Sequence, residues 1–203
     1  MIEAYPFANF IINAFQKSKK GKECNGDSFL IDETDDAFFC AVADGLGSGG
    51  YARKASQMAV EVIERSLDQP LDEIMRRVND SQQGLRGVVL SIFRLDTKTR
   101  MMEFCGVGNI SFNIYKPNGE IVHPLPKQGY LSGRVMDFRI QSFLYPDDAW
   151  FAIYSDGIYL NSKHAPTIKR LFYSSNEKEA EMIMESISTR FVDDMTVVIG
   201  KPS

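Results

Sequence analysis

Histidine is almost missing from this chain: His123 and His164 are the only two in 203 residues. That scarcity argues against a zinc site built on imidazole. Cysteine is sparse too. Cys24, Cys40 and Cys105 are odd in number and scattered, with neither disulfide nor zinc spacing. Cys40 and Cys105 stand in apolar runs, where a thiol behaves as a small buried hydrophobe. Basic excess is lacking as well. The formal net charge is −4 and the pI about 5.3, which excludes a general nucleic-acid binder. No apolar run approaches bilayer length, and the stretch Met1 to Phe10 has neither a basic n-region nor a long apolar h-region. A cytoplasmic protein without a membrane segment is therefore expected. No repeat, low-complexity segment or linker interrupts the chain. With 44% hydrophobic residues, a single domain over 1–203 with an ample core is expected.

What the chain has is a distinctive stretch from Phe38 to Tyr51, where an apolar run ends on Asp44 and passes into a glycine-rich turn. Gly45, Gly47 and Gly50 spell G-x-G-x-x-G, the spacing of a dinucleotide site. That site needs a strand ending in an acidic residue about 20 residues on, and here this distance falls on Glu64 and Asp68 in a helical pattern. A Walker loop is excluded too, since no Gly-Lys-Ser/Thr follows. The alternative makes Asp44 the important residue, with glycines letting backbone and ions approach it.

The surrounding pattern supports the alternative. Strands are expected at 9–16, 28–31, 37–43, 88–95, 101–106, 110–115, 138–144, 150–154 and 196–199, with a short one at 120–123. Ala52, Ala55, Ala59, Ile63 and Leu67 recur at helical spacing. Pro70 opens a second helix whose Asp72 and Glu73 suit its dipole. Two further helices are expected at 164–172 and 178–189. Connections between neighbouring strands are too short for parallel crossovers, and helices do not alternate with strands as in a doubly wound sheet. The expected class is α/β of the α+β kind: two antiparallel sheets flanked by helices, an α-β-β-α sandwich.

Four motifs place aspartate at a strand margin beside small residues: Gly26-Asp27-Ser28-Phe29, Ala43-Asp44-Gly45, Ser155-Asp156-Gly157 and Asp193-Asp194-Met195-Thr196. Each alone is ordinary turn chemistry. If folding brings them together, their repulsion must be relieved by protons or cations, and all-oxygen ligands favour Mg²⁺ or Mn²⁺.

These motifs, with Gly106-Val107-Gly108-Asn109 and Gly129-Tyr130-Leu131-Ser132-Gly133, resemble the metal-dependent protein phosphatase (PPM) family in order and spacing over roughly 22–200. The similarity is greatest to its small SpoIIE-like bacterial branch, which includes stressosome phosphatases. The resemblance implies a phosphoserine/phosphothreonine protein phosphatase with two Mn²⁺ or Mg²⁺ ions, acting as a monomer on phosphorylated stressosome proteins of the RsbS and RsbR types. Asp44 would bridge the ions, with the Gly45 carbonyl on the second. Asp156 and Asp193 would hold the first, and Asp27 would lie at or just outside the second. Asp44, Asp156 and Asp193 are thus the candidate catalytic residues. Asp194 stands where many relatives carry Asn and is given a supporting role. Hydrolysis would proceed by in-line attack of hydroxide on phosphorus, without a phosphoenzyme. A non-catalytic member that binds a signalling partner is the rival implication.

Some positions depart from larger relatives. Leu46 replaces a His that serves many of them as general acid. Asn109 replaces an Asp used for a third ion, so its role here is also supporting. Lys22 stands where many carry a phosphate-binding Arg. It is either a phosphate contact, as a point charge without the bidentate fork, or part of a solvated turn with Lys17, Lys19 and Lys20. The segment Gly129 to Gly133 either borders the site and selects substrates or is simply anchored by Tyr130 and Leu131. His123 and His164 are expected at the surface or as caps, and Arg53-Lys54 and Arg76-Arg77 on solvated helix faces.

Overall fold

The computed structural model describes residues 2–7, 10–19, 21, 24–160, 162–174, 176–188 and 193–203. Among them, eleven strands form two antiparallel sheets, each covered by a helix pair. In chain order the strands are β1 Ile2–Pro6, β2 Phe10–Lys17, β3 Asp27–Glu33, β4 Ala37–Gly45, β5 Val88–Asp96, β6 Met101–Val107, β7 Ser111–Tyr115, β8 Ile121–Val122, β9 Gln141–Leu144, β10 Trp150–Tyr154 and β11 Met195–Pro202. The first sheet has the order β1-β2-β11-β10-β7-β8 and the second β3-β4-β5-β6-β9. The helices are α1 Gly50–Glu64, α2 Leu71–Ser81, α3 Ala165–Phe172 and α4 Glu177–Ser186. No helix among the described residues is long and apolar enough to cross a membrane.

The expected α-β-β-α sandwich is the observed one. Strand alternation builds it, since successive side chains face opposite sides of a sheet. Phe38, Cys40 and Val42 of β4, with Phe93 beside them on β5, turn toward the facing sheet, where Phe112, Phe151, Ile153 and Val198 meet them. Phe93 stacks on Phe112 and meets Phe151 edge-on, both at 4.9 Å between centroids. The intervening Ala37, Phe39, Ala41 and Ala43 pack under α1 and α2. Val197 and Ile199 of β11 lie under α3 and α4 with Ile168, Leu171 and Ile183.

Helix α1 meets its sheet through Ala52, Ala55, Ser56 and Ala59, small residues that let backbones approach closely. A Cβ on Gly45 would lie 1.9 Å from the Ala52 carbonyl oxygen, so the strand-to-helix junction requires glycine there. Helix α2 follows Pro70 and carries Asp72 and Glu73 in its first turn. Arg76 and Arg77 pair with these two acids on the same helix, on the solvated face expected of them. Several boundaries differ from expectation. Helix α1 ends at Glu64, and Leu67 packs on the helix-side core from the turn beyond it. Strand β9 starts only at Gln141, because Phe138 and Ile140 turn into that same core. Helix α4 ends at Ser186, and Thr189 lies outside the described residues.

The segment between β8 and β9 crosses the end of the second sheet. Leu131 is fully buried and bridges Val88, with N–H···O distances of 3.0 and 2.8 Å. Buried Asn79 of α2 holds the next turn, its Oδ1 accepting from Ser132 N and Gly133 N at 3.1 and 3.2 Å. Its Nδ2 donates to Arg134 O at 2.9 Å. Asn79→Ala strands these three groups, a loss of about 1–3 kcal/mol. Melting should fall by roughly 3–8 °C, and amide exchange should accelerate at 131–134 ahead of the strands.

Candidate metal centre and active site

Register brings the acidic motifs to one end of the sandwich. Asp27 and Asp44 are directly paired across β3 and β4. Phe29 and Ile31 on one strand and Cys40 and Val42 on the other pack between the sheets. By alternation both carboxylates face that interior where its apolar filling ends. From the opposite sheet, Ser155 lies two residues past Ile153 and Thr196 two before Val198, so their hydroxyls face the same space. Asp156, Asp193 and Asp194 stand in the adjoining turns. Asp27, Asp44, Gly45, Asp156, Asp193 and Asp194 all line one cavity of about 450 Å³, together with Leu46, Asn109 and Gly129.

The electrostatics follow from this crowding. Burial pushes the Asp27 carboxyl up to about 7, against the hydroxyls of Ser155 and Thr196, with Asp194 and Asp156 adding repulsion. Burial likewise pushes Asp44 up to about 8, and Asp27, Asp156, Asp193 and Asp194 all repel it. Asp44 is therefore the electrostatic centre of the group. Asp156 is raised by burial and by Asp193, while the amide of Asn109 opposes the shift, donating to Asp156 Oδ2 at 2.7 Å.

Two more of the acids are already engaged. Asp194 accepts from Lys19 N at 2.7 Å and from Gly26 N at 2.8 Å, so it fastens the start of β11 to the segment before β3. Asp193 Oδ1 accepts from Asp194 N at 2.9 Å and lies 3.7 Å from the Lys19 ammonium. Asp27, only 2% exposed, is the contrary case: its Oδ2 is buried without a hydrogen-bond partner. A buried carboxylate oxygen left unpaired is costly unless a cation or proton meets it. Among the described residues, no three acidic, histidine or cysteine side chains close on one point tightly enough to hold an ion alone. The donor set is open and needs backbone and water oxygens to complete a shell, which suits Mg²⁺, an ion that keeps several waters. An all-oxygen set with an orphaned carboxylate oxygen fits a hard divalent cation.

Several contributors were not singled out from sequence. Ser155 and Thr196 bond each other's strands, with Thr196 N donating to Ser155 Oγ at 3.0 Å, and both serve Asp27. Gln16 donates to Asp27 O and to Thr196 Oγ1, and Asn25 Oδ1 accepts from Asp27 N at 2.8 Å. Hydroxyls and amides flanking aspartates were the available signal. The stretch Gly129 to Gly133 borders the cavity through Gly129 and is anchored by buried Leu131. His123 Nδ1 shares a hydrogen bond with Asn113 Oδ1 at 2.7 Å, and His164 meets the Tyr159 ring edge-on. Neither lines the cavity. Lys22 lies outside the described residues.

A family model described as Stage II sporulation protein E (SpoIIE) matches residues 34–202. The phosphoserine phosphatase RsbX of Bacillus subtilis (strain 168) is 32% identical over 190 residues, covering 93% of each chain. A crystal structure of RsbX in complex with magnesium superposes with a TM-score of 0.85 at 30% identity, covering 100% of both chains. A chain from the bacterial stressosome, a modular system adapted to control secondary messenger signalling, matches at 27% identity with a TM-score of 0.80. That match covers 94% of this chain and 98% of the other.

Proposed function

This chain belongs to the SpoIIE family of metal-dependent protein phosphatases, and on that premise we propose that it dephosphorylates serine and threonine in stressosome proteins of the RsbS and RsbR types. It is a phosphoric monoester hydrolase of the stress response. Working in the cytoplasm as a monomer and a single domain over 1–203, it would reset general-stress signalling. The observation that carries the reading is the pairing of Asp27 with Asp44 at the mouth of the inter-sheet core, with Asp27 Oδ2 buried and unmet.

Two Mn²⁺ or Mg²⁺ ions would be held by Asp27, Asp44, Asp156, Asp193 and the Gly45 carbonyl. Such ions supply charge neutralisation for the phosphoryl group and lower the pKa of bound water. The chain's own residues do the rest. Ser155 and Thr196 orient Asp27, Asn109 aims Asp156, and Asp194 pins the turn that carries Asp193. Leu46 contributes an apolar wall and no proton, so the serine leaving group takes its proton from solvent. Charge stabilisation dominates phosphoryl transfer, and few other protein groups are needed. A non-catalytic member would be expected to have lost part of this carboxylate set, and all five aspartates line the cavity.

Hydrolysis of p-nitrophenyl phosphate and of a phosphoserine peptide, measured with added MnCl₂ and then with EDTA, tests the reading. Turnover that stops with chelator and returns with metal is expected. Absence of hydrolysis with Mn²⁺ or Mg²⁺, or hydrolysis indifferent to EDTA, would overturn it.

A further inference from the structure

At the cavity rim an exposed guanidinium lies over one exposed tyrosine, and a second exposed tyrosine packs on the residue beside it. Arg86 lies with its Cζ 5.1 Å from the centre of the Tyr51 ring, and Tyr51, on the first turn of α1, is 71% exposed. The same guanidinium covers Gly47: a Cβ there would sit 2.5 Å from Arg86 Nη1, and Gly47 lines the cavity. Tyr130, 44% exposed, packs on the next residue, where a Cβ on Gly87 would stand 2.9 Å from its Cδ2. Gly129, beside Tyr130, lines the cavity too. Arg86 has no ion pair or hydrogen bond to a carboxylate among the described residues.

Charge makes this arrangement informative. The chain carries a net −4 and its cavity is walled by aspartates, so an approaching acidic protein is repelled over most of this face. Arginine stacked on an aromatic ring is held in place yet keeps its donors outward, and it recognises carboxylates through a planar fork. Cations engaged nearby serve other ends: the Lys19 ammonium faces Asp193 and Arg53 Nη1 donates to Asn25 O.

We propose that Arg86, framed by Tyr51 and Tyr130, is the substrate-selecting contact of this phosphatase, receiving a carboxylate side chain of the segment that carries the phosphoserine. The proposal rests on the phosphatase reading and names the class of segment it prefers: acidic beside the phosphorylated serine. The contact acts on substrate capture and so moves KM more than kcat.

The test compares phosphoserine peptides that differ only in Asp, Ala or Lys beside the phosphoserine, with p-nitrophenyl phosphate, which has no flank, as the reference. The natural protein should favour the Asp peptide over the Lys peptide by about tenfold in kcat/KM, carried by KM. Arg86→Ala should erase that preference, Arg86→Lys retain part of it, and Arg86→Glu turn it toward the Lys peptide. Thermal melting of each variant checks folding. A flank preference unchanged in Arg86→Ala overturns the proposal. So does a loss on p-nitrophenyl phosphate equal to that on the Asp peptide, since Arg86 would then act on the phosphate itself. Failure of the natural protein to hydrolyse any of these compounds with Mn²⁺ would instead bring down the phosphatase reading, and this proposal with it.

Discussion

Asp44→Asn is expected to lower phosphatase turnover on the order of 10³-fold, about 4 kcal/mol of barrier, in a protein that still folds. Asp44 is the residue on which repulsion from Asp27, Asp156, Asp193 and Asp194 converges. An amide there keeps the shape, removes the charge that draws cations into the cavity, and leaves one acceptor oxygen in place of two. The loss should persist at saturating Mn²⁺, because the missing charge sits at the centre of the donor set. Asp36→Asn, on the exposed turn before β4, serves as control and should change turnover less than twofold. Steady-state kinetics on a phosphoserine peptide give both numbers. Turnover of Asp44→Asn within tenfold of the natural protein would remove Asp44 from the centre of the chemistry.

The second large effect concerns stability. Without ions, Asp27 and Asp44 hold their protons to about 7 and about 8, whereas an unfolded chain releases them near 3.9. The folded state therefore binds more protons between those limits. Its stability is greatest below about pH 4 from these two groups and is lost as pH rises through 7 to 8. Melting of the EDTA-treated protein should accordingly fall from pH 5 to pH 8.5, by several degrees for a chain of this size. Because the two carboxyls interact, the fall reports the pair and not either residue singly.

Divalent cations reverse the trend, because they bind the deprotonated form. At a hundredfold excess over the dissociation constant, stabilisation is about 2.7 kcal/mol, or roughly 5–10 °C. Its size should grow with pH over the same window. Asp44→Asn isolates the effect: without metal it should melt above the natural protein at pH 8, lose much of the pH slope, and respond weakly to Mg²⁺. Differential scanning calorimetry at four or five pH values, with and without Mg²⁺, decides the matter. A melting temperature without metal that rises between pH 5 and 8.5 in the natural protein, yet not in Asp44→Asn, would contradict the buried-pair account.

The sandwich was legible because strand alternation and helical spacing in this chain are strong and the connections short. Asp27, Asp44, Asp156 and Asp193 were legible because each interrupts an apolar run at its end. Other features left little trace. Strand β1 escaped notice because Ile-Glu-Ala-Tyr-Pro is a short edge segment ending in proline, and its pairing partner β2 supplies the order. Asn79 reads as one more polar residue in a helix, since what it holds lies more than 50 positions away. Asp194 stands where many relatives carry Asn, which points only to a supporting role. Its two oxygens in fact accept from two separate backbone amides, which one amide oxygen could do only by sharing. The Arg86 and Tyr51 pairing spans 35 positions and carries no local pattern at all.

The placement of β11 has a consequence for biosynthesis. This strand, near the C-terminal end of the sequence, sits between β2 and β10 in the middle of its sheet. A nascent chain that has emerged only as far as β10 therefore presents two unpaired edges, each a template for association with other chains. Its acidic cavity is also missing Asp193 and Asp194, and the closing contacts join residues some 180 positions apart, which makes assembly slow. Ribosome-bound fragments shorter than about 195 residues should consequently stay protease-sensitive and lean on chaperones, with protection arriving in one step once the last strand slots in.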